Sequence, residues 1–388
     1  MKNHYKLEAL TGAECVAEAW RQIDPEVIAA YPITPQTPII EKFAKDVADG
    51  KVKTKFVPVE SEHSAMSYVV GAAAAGVRAM TATASQGLAY MWEVLGVASG
   101  LRLPIVMSIA CRALSAPINI HGDHSDVMGA RDLSWVQIFC ETNQEIYEMV
   151  LLAVRLAEHP DVKLPVMIAF DGFVTSHSVE PVKIFPGSIV KKFIGEYQPE
   201  CPLLNIEKPV TYGSITLPLN HFEIKVEQSQ AMEKAKKVYL EIGKELSKIT
   251  GSKYEHFEKY YLDDAKAAIV TTASTCGTTK YVVNKLRKQG KRVGLLKIKL
   301  FRPFPYQEVC EALSKIKTIG VLDRSESYGA FPPLFSEIKN ALCDARPKLQ
   351  SYIFGLGGRD IFPEEIEIVF EDLLKGKLNE KVRYVGLK

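Results

Sequence analysis

The sequence lacks the features that mark membrane, secreted and nucleic-acid-binding proteins. No apolar run approaches the roughly 18 residues that a membrane-spanning helix needs, and the opening MKNHYKLEAL has no apolar core like that of a signal peptide. The formal net charge is only +2 over 388 residues, so the basic excess typical of nucleic-acid binding is missing. We therefore expect a cytoplasmic protein that binds neither a membrane nor a nucleic acid.

Metal-type cysteine spacing is also absent. The seven cysteines are scattered and no CxxC occurs; they are Cys15, Cys111, Cys140, Cys201, Cys276, Cys310 and Cys343. Zinc and iron–sulfur sites need closer spacing than this. We expect most of these residues to be buried as small apolar side chains. If the chain takes part in electron transfer, the clusters must lie on other polypeptides.

What the sequence does contain is an alternation of strand and helix patterns. From Thr11 to about His177, β-rich runs are separated by helical segments, which is typical of a doubly wound, mostly parallel sheet. The predicted strands are Glu26–Ile33, Lys55–Val59, Arg78–Thr83, Leu103–Ala110, Trp135–Phe139 and Val162–Phe170.

The alternation stops at about residue 180 and resumes at Lys266. Between these points lie a Pro-rich stretch, 196–218, and a charged amphipathic helix near Gln228–Ile249. The length suggests two or three domains. We expect a first α/β domain over residues 1–185, a connecting segment over 186–263 and a second, smaller α/β domain over 264–388.

The turn after the first predicted strand is the most informative local feature. It reads Tyr-Pro-Ile-Thr-Pro-Gln-Thr-Pro over Tyr31–Pro38 and precedes a helical pattern from Ile39 to about Val47. Thr37 is the expected N-cap and Pro38 the first helical residue. Two Thr-Pro steps around a glutamine exceed what a helix start requires. They predict a ligand site at the carboxyl edge of the sheet, where open α/β folds bind ligands.

Polar residues follow three further predicted strands, and each has an ordinary alternative role. Glu62 either helps to cap the next helix or points into an apolar pocket as a proton donor and acceptor. The turn Thr81–Gly87 is either an ordinary tight turn or a surface that a flat ring approaches closely at Gly87. Arg112 forms either a surface ion pair or a carboxylate-binding fork.

Two other runs imitate familiar sites. His121–Asp126 holds two histidines and two aspartates, but without the i, i+4 helical spacing of metal ligands. We expect no metal there, and instead an active-site loop in which Asp123, His124 and Asp126 contact substrate or a partner chain. Gly355–Asp360 is rich in glycine but is not a GxGxxG that opens a helix, so we do not expect a dinucleotide site.

Together these motifs resemble those of the 2-oxoacid:ferredoxin oxidoreductases. The matching runs, in chain order, are Tyr31–Thr37, Glu60–Ala65, Thr83–Gly87, Cys111–Pro117 and Gly355–Asp360. The resemblance extends from Gly12 to about Leu374. It implies a pyrimidine-binding domain of the thiamine fold, followed by a domain like the transketolase C-terminal domain. It also implies an α subunit that works with β, γ and δ-type subunits.

The resemblance implies a reaction as well. A 2-oxoacid and coenzyme A would give an acyl-CoA, carbon dioxide and reduced ferredoxin, or the reverse. Pyruvate is the expected 2-oxoacid, with 2-oxoisovalerate and 2-oxoglutarate as alternatives. A thiamine enzyme component that does not use ferredoxin and a non-enzymatic structural subunit are further alternatives.

Site residues follow from the same resemblance. Glu62 would share a proton with N1′ of the aminopyrimidine of thiamine diphosphate, and Thr34 and Arg112 would hold the carbonyl and carboxylate of the 2-oxoacid. The residues expected to line the cofactor are Pro32, Ile33, Glu62, Ser85, Gln86 and Gly87. Magnesium, which binds the diphosphate, and the 4Fe–4S clusters would be held by partner subunits, so we expect no metal ligand in this chain.

Overall fold

Two large sheets organise the computed structural model, which describes residues 5–345, 347–379 and 381–388. The strands are β1 (Lys6–Thr11), β2 (Val27–Ala30), β3 (Lys55–Pro58), β4 (Ala79–Thr83), β5 (Val106–Cys111), β6 (Val136–Phe139), β7 (Val166–Asp171), β8 (Val179–Ile184), β9 (Phe257–Tyr260), β10 (Ala267–Thr272), β11 (Val293–Ile298), β12 (Leu300–Arg302), β13 (Thr318–Asp323), β14 (Lys348–Ile353) and β15 (Arg383–Tyr384).

Helices connect most of these strands. They are α1 (Gly12–Ile23), α2 (Thr37–Ala48), α3 (Glu62–Ala75), α4 (Ser85–Tyr90), α5 (Trp92–Gly100), α6 (Ser125–Gly129), α7 (Asn143–Glu158), α8 (Val174–His177), α9 (Gly187–Ile194), α10 (Pro218–Thr250), α11 (Thr275–Lys288), α12 (Tyr306–Leu313), α13 (Pro333–Ala341) and α14 (Pro363–Lys375), with a short 3₁₀ turn at Leu356–Gly358.

The first sheet has seven strands in the order β12-β6-β7-β5-β4-β2-β3. Strands β2 to β7 are mutually parallel, and β12 pairs antiparallel with β6 at one edge. Every residue of β5 and β7 is buried, as expected for parallel strands covered by helices on both faces. Each of the six strands predicted before residue 177 overlaps one of these parallel strands.

The second sheet has six strands in the order β15-β14-β13-β10-β11-β9. Only β9 runs antiparallel to its neighbour. One hydrophobic core combines residues of both sheets, including Met107 and Phe139 from the first and Val270 and Leu296 from the second. The two sheets are therefore packed together through a shared apolar interior.

Helix starts and ends follow from local sequence. Helix α3 begins where the Ser61 hydroxyl accepts a hydrogen bond from the Ser64 N–H at 3.2 Å, and it ends at Gly76, whose φ of 100° suits glycine. Helix α10 buries Ala235, Tyr239 and other residues of its C-terminal half. The predicted helix Gln228–Ile249 lies within α10, which begins ten residues earlier. Among the described residues, no helix is long and apolar enough to cross a membrane.

Candidate active site

The polar residues that follow the parallel strands meet at one edge of the first sheet. Because carboxyl ends of parallel strands share an edge, the turns after β2, β3, β4, β5 and β7 are neighbours. The side chains carried there include Thr34, Glu62, Ser85, Arg112 and Asp171. The residues predicted to form a ligand site therefore lie at the same edge of the first sheet.

Glu62 is the first residue of α3 and only 7% exposed. Ser61 caps this helix, so the Glu62 carboxylate is not needed as its cap. In the part of the chain that the structure describes, this carboxylate forms no hydrogen bond or ion pair. Glu62 instead packs against Gly87, where an added Cβ would lie 2.8 Å from Glu62 Oε1.

Gly87 is required by this close packing. A Cβ at position 87 would also lie 2.4 Å from Thr83 Oγ1, so any other residue would collide with both groups. Thr83 Oγ1 is itself buried without a hydrogen-bond partner among the described residues. A buried hydroxyl without a partner is uncommon in native structures. A carboxylate and a hydroxyl, each without a hydrogen-bond partner among the described residues, thus lie together on the side of Gly87 where a side chain would project.

The turn after β2 differs from its prediction at the helix start. Gln36, not Thr37, occupies the N-cap position of α2, and its side chain makes no capping bond. Its amide Nε2 donates to the carbonyl oxygen of Ala82 at 2.9 Å, and its Oε1 accepts from the N–H of Ile33 at 3.2 Å. The prediction that Thr37 is the N-cap is therefore wrong, because the buried glutamine amide ties this turn to β4.

The predicted residues of this turn lie on its outer side. Pro32 and Thr34 are exposed and Ile33 is partly exposed. Gln86 is also partly exposed, whereas Ser85 is completely buried. Ser85 has a φ of 48°, which is unusual for a residue other than glycine. Its hydroxyl lies 2.6 Å from the carbonyl oxygen of Ala113, so it joins two turns.

Arg112 lies beside Thr34, the other residue predicted to bind the substrate. Its Nη1 donates to the backbone carbonyl of Thr34 at 2.9 Å, and its Nε donates to the carbonyl of Asn119 at 2.8 Å. The side chain is only 7% exposed, and burial lowers the pKa of its guanidinium, which stays charged. Among the described residues it forms no ion pair, so the surface ion pair considered above is not formed.

Asp126 links the turns that hold Ser85 and Arg112. Its Oδ2 accepts from the N–H groups of Ser85 at 2.8 Å and Arg112 at 2.9 Å, and its Oδ1 accepts from the N–H of Val127 at 2.7 Å. Burial raises the pKa of this carboxyl group to about 7, although the three N–H groups act in the opposite direction. Asp126 therefore holds backbone in place.

Asp123 and His124 are also directed into the protein. Asp123 Oδ2 accepts from the N–H of Gly357 at 3.0 Å, and His124 Nε2 lies 2.8 Å from Asp171 Oδ1. Both residues are nearly inaccessible to solvent. A contact of Asp123, His124 or Asp126 with substrate or a partner chain stays a prediction, since all three side chains are bonded to protein groups here.

Asp171 joins the edges of the two sheets. Besides His124, it contacts Arg324 at the end of β13, with Nη1 3.1 Å from Oδ1, and accepts from the N–H of Ser274 at 2.9 Å. Burial opposes ionisation of this carboxyl group, but Arg324 and His124 outweigh it and hold its pKa far below the usual range. Asp171 therefore ties the carboxyl edge of the first sheet to residues at the edge of the second, a role that only the folded structure reveals.

The comparisons with known proteins assign the chain to a family. Residues 18–244 match the family described as pyruvate flavodoxin/ferredoxin oxidoreductase, thiamine diphosphate-binding, and residues 265–366 match the pyruvate:ferredoxin oxidoreductase core domain II. The chain belongs to the 2-oxoacid:ferredoxin oxidoreductases. The resemblance found in the motifs is thereby confirmed, and the chain carries the thiamine diphosphate-binding domain of this family.

Relatives of this oxidoreductase chain are similar over their whole length. It is 56% identical over 383 residues, 98% of each chain, to the pyruvate synthase subunit PorA of Thermotoga maritima. It is 41% identical over 388 residues, again 98% of each chain, to the ketoisovalerate oxidoreductase subunit VorA of Pyrococcus abyssi. Both relatives are named as subunits.

Solved structures confirm the predicted fold class. The 2-oxoglutarate:ferredoxin oxidoreductase from Magnetococcus marinus superposes with a TM-score of 0.73 at 19% identity, over 95% of this chain and 65% of that one. A split-gene transketolase gives a TM-score of 0.58 at 10% identity, over 95% of this chain and 99% of that one. The oxidoreductase chain thus has the α/β architecture that the sequence predicted, with a thiamine-fold first part and transketolase-like neighbours.

One cluster of carboxylates outside this edge could be mistaken for a metal site. Among the described residues, ligand atoms of Glu141, Glu145 and Glu258 lie within 4.8 Å of one another. However, the Nζ of Lys297 lies 2.5 Å from both Glu141 and Glu145, and Lys280 contacts Glu141 and Glu258. Lysine ammonium groups already neutralise these carboxylates.

Proposed function

We propose that this chain is the α subunit of a pyruvate:ferredoxin oxidoreductase. The enzyme converts pyruvate, coenzyme A and oxidised ferredoxin to acetyl-CoA, carbon dioxide and reduced ferredoxin, and the reaction is reversible. The observation that carries the proposal is the 56% identity, over 98% of both chains, with a subunit named pyruvate synthase. The arrangement of Glu62, Gly87 and Arg112 at one sheet edge supports an enzymatic role rather than a purely structural one.

The groups around Gly87 fit the aminopyrimidine of thiamine diphosphate. Glu62 offers a nearly buried carboxylate without a partner among the described residues, and Thr83 offers a buried hydroxyl that also lacks one there. When bound, thiamine diphosphate supplies the carbon nucleophile and electron sink that decarboxylation of a 2-oxoacid needs. Pro32, Ile33 and Gln86 would line the same cofactor, whereas Ser85, which is inaccessible to solvent, would contribute by holding the turn in place.

Glu62 would act as the proton-holding group. Its Oε atoms would share one proton with N1′ of the aminopyrimidine, which favours the tautomer needed for activation. The carboxylate is well placed for this because Ser61 already caps α3 and Gly87 leaves its Oε1 uncovered. A carboxylate that a water-poor site holds in one orientation is an efficient acid–base group.

Arg112 and Thr34 would bind the 2-oxoacid. The carbonyls of Thr34 and Asn119 fix two nitrogens of the guanidinium and leave the other Nη hydrogens free. A planar fork of this kind binds a carboxylate through two parallel hydrogen bonds. Arg112 would thus hold the carboxylate, and Thr34 would lie against the carbonyl group.

Arg112→Lys should raise KM for the 2-oxoacid by roughly 10- to 100-fold, since each charge-assisted hydrogen bond is worth about 1.5–3 kcal/mol. Lysine keeps the charge but loses the fork. Steady-state kinetics would measure KM, and a thiamine diphosphate titration should show unchanged cofactor affinity. Arg155→Lys, at a half-buried surface pair with Glu245, is the matched control. An unchanged KM in Arg112→Lys would remove Arg112 from the substrate site.

Partner subunits would supply what this chain lacks. We place magnesium and the 4Fe–4S clusters on β, γ and δ-type subunits, with ferredoxin as electron acceptor and a cytoplasmic location. The cysteine pattern supports this placement, because Cys15, Cys111, Cys140 and Cys276 are buried and no CxxC occurs. The acidic cluster at Glu141 supports it too, because lysines already neutralise it.

A comparison of substrates tests the proposal. The assembled enzyme should show a higher kcat/KM for pyruvate than for 2-oxoisovalerate or 2-oxoglutarate, with partial activity on 2-oxobutyrate, because one methylene changes binding by only about 1–3 kcal/mol. The isolated chain is the control and should show neither turnover nor iron–sulfur absorbance.

The second candidate substrate is 2-oxoisovalerate, favoured by the 41% identity to the ketoisovalerate subunit. A higher kcat/KM for 2-oxoisovalerate than for pyruvate would overturn the pyruvate assignment and leave the reaction class standing. Stoichiometric iron–sulfur absorbance in the isolated chain would overturn the assignment of the clusters to partner subunits.

A further inference from the structure

The glycine-rich turn Gly355–Gly358 is the motif that the proposed function leaves unexplained. It follows β14 of the second sheet, and Gly355, Gly357 and Gly358 have φ values of 63°, 61° and 80°, a region that favours glycine. The turn packs against the loop 119–123 that follows β5. A Cβ at Gly357 would lie 2.5 Å from Asn119 Nδ2, and one at Gly358 would lie 2.2 Å from His121 Cβ.

Hydrogen bonds continue this contact to the guanidinium of Arg112. Asn119 Nδ2 donates to the carbonyl oxygen of Gly357 at 2.9 Å, while the N–H of Gly357 donates to Asp123 Oδ2 at 3.0 Å. The backbone carbonyl of Asn119 accepts from Arg112 Nε at 2.8 Å. The turn of the second sheet therefore fixes Asn119 from one side, and Asn119 fixes Arg112 from the other.

We propose that Asn119 and Gly357 are positioning residues for the 2-oxoacid, acting through Arg112. With Nε bound to Asn119 and one Nη1 hydrogen bound to Thr34, the free hydrogens of Nη1 and Nη2 form the end of the fork. A carboxylate that binds there needs the guanidinium plane held in one orientation, since a small misplacement weakens a bidentate pair. The inference rests on the proposed function, in which Arg112 binds the substrate carboxylate.

Gly357→Ala tests the contact directly, since its methyl group would collide with Asn119 Nδ2. In the assembled enzyme we expect KM for pyruvate to rise by about 10-fold, the effect of losing one well-oriented charge-assisted hydrogen bond. We expect kcat within about 2-fold of the wild type and unchanged affinity for thiamine diphosphate, because a positioning defect confined to Arg112 spares the chemical step. A merely structural role would lower kcat through loss of active enzyme and leave KM unchanged.

Gly376→Ala is the matched control. Gly376 ends α14 in the same part of the chain with a φ of 66°, and an added Cβ would meet nothing within 4 Å. It therefore imposes a backbone strain like that at Gly357 without the collision. We expect its KM to equal that of the wild type.

Asn119→Ala supplies a second variant that keeps the backbone carbonyl but removes Nδ2. Asn119→Ala should raise KM and leave kcat unchanged. The double variant Asn119→Ala/Gly357→Ala should have the same KM as Asn119→Ala, because the side chain with which the added methyl group would collide is gone. Unchanged KM in Gly357→Ala and Asn119→Ala while Arg112→Lys raises KM would overturn the inference, as would additive effects in the double variant. Unchanged KM in Arg112→Lys would instead overturn the proposed role of Arg112.

Discussion

Glu62→Gln in the assembled enzyme should reduce ferredoxin at least about 100-fold more slowly than the wild type, the usual scale for a lost acid–base group. Glutamine has nearly the same size and leaves the Ser61 cap of α3 intact, but its amide cannot hold and release the proton that the carboxylate shares with the aminopyrimidine. Stopped-flow or steady-state reduction of ferredoxin measures the rate, and circular dichroism checks that the fold is unchanged.

Glu60→Gln is the control for this experiment. Glu60 lies two residues earlier, is exposed, and is hydrogen-bonded to the Ser64 hydroxyl. The same chemical change there should leave turnover near that of the wild type. If Glu62→Gln also turns over near the wild-type rate, Glu62 has no acid–base role and the assignment of the cofactor residues falls with it.

Asp171→Asn should destabilise the protein by about 3–5 kcal/mol, the cost of leaving a buried charge without its partner. The substitution would leave Arg324 buried without the carboxylate that now lies 3.1 Å from it, and would weaken the contact to His124. The midpoint of urea unfolding at pH 7 measures the effect. Asp372→Asn is the control, since its pair with Arg383 is about a quarter exposed and should contribute no more than about 1 kcal/mol.

Asp171→Asn should also change how the free energy of unfolding depends on pH. Because the folded protein holds the pKa of Asp171 far below its unfolded value of about 4, the wild type has this stabilisation in full above that unfolded value. It loses the stabilisation as the pH falls further toward the depressed folded pKa. Asp171→Asn should therefore show a smaller loss of stability between pH 5 and pH 3, roughly the range in which the unfolded carboxylate titrates. An equal acid-side loss in both proteins would contradict the role of Asp171.

Features that depend on residues close together in the chain, such as the parallel strands, could be predicted from the sequence. The buried runs identified the parallel strands, and Glu62, Gly87 and Arg112 lie shortly after them in the chain. Their roles in cofactor and substrate binding stay a prediction. Gln36 was not predictable as an N-cap, because its role depends on a hydrogen bond to Ala82 in another strand. Position along the chain gives no direct sign of which strands will be adjacent.

Contacts between distant parts of the chain were the least predictable. Asn119 and Gly357 are 238 residues apart, and neither residue type suggests the other as a partner. The glycine spacing of Gly355–Asp360 indicated that this run is not a dinucleotide-binding loop. Its contact with the loop after β5 is evident only in the folded structure. The sequence likewise cannot show the three N–H groups that donate hydrogen bonds to Asp126.

Strand β12 also determines when the first sheet can be completed during synthesis of the chain. It pairs with β6 at the edge of the first sheet, yet residues 300–302 leave the ribosome after the strands β9 to β11 of the second sheet. Until then the outer edge of β6 has no strand beside it, and open strand edges attract other chains. A fragment that ends before residue 300 would lack β12, and the outer edge of β6 would stay unpaired. The first sheet should therefore be expressed together with the second and not as a separate fragment.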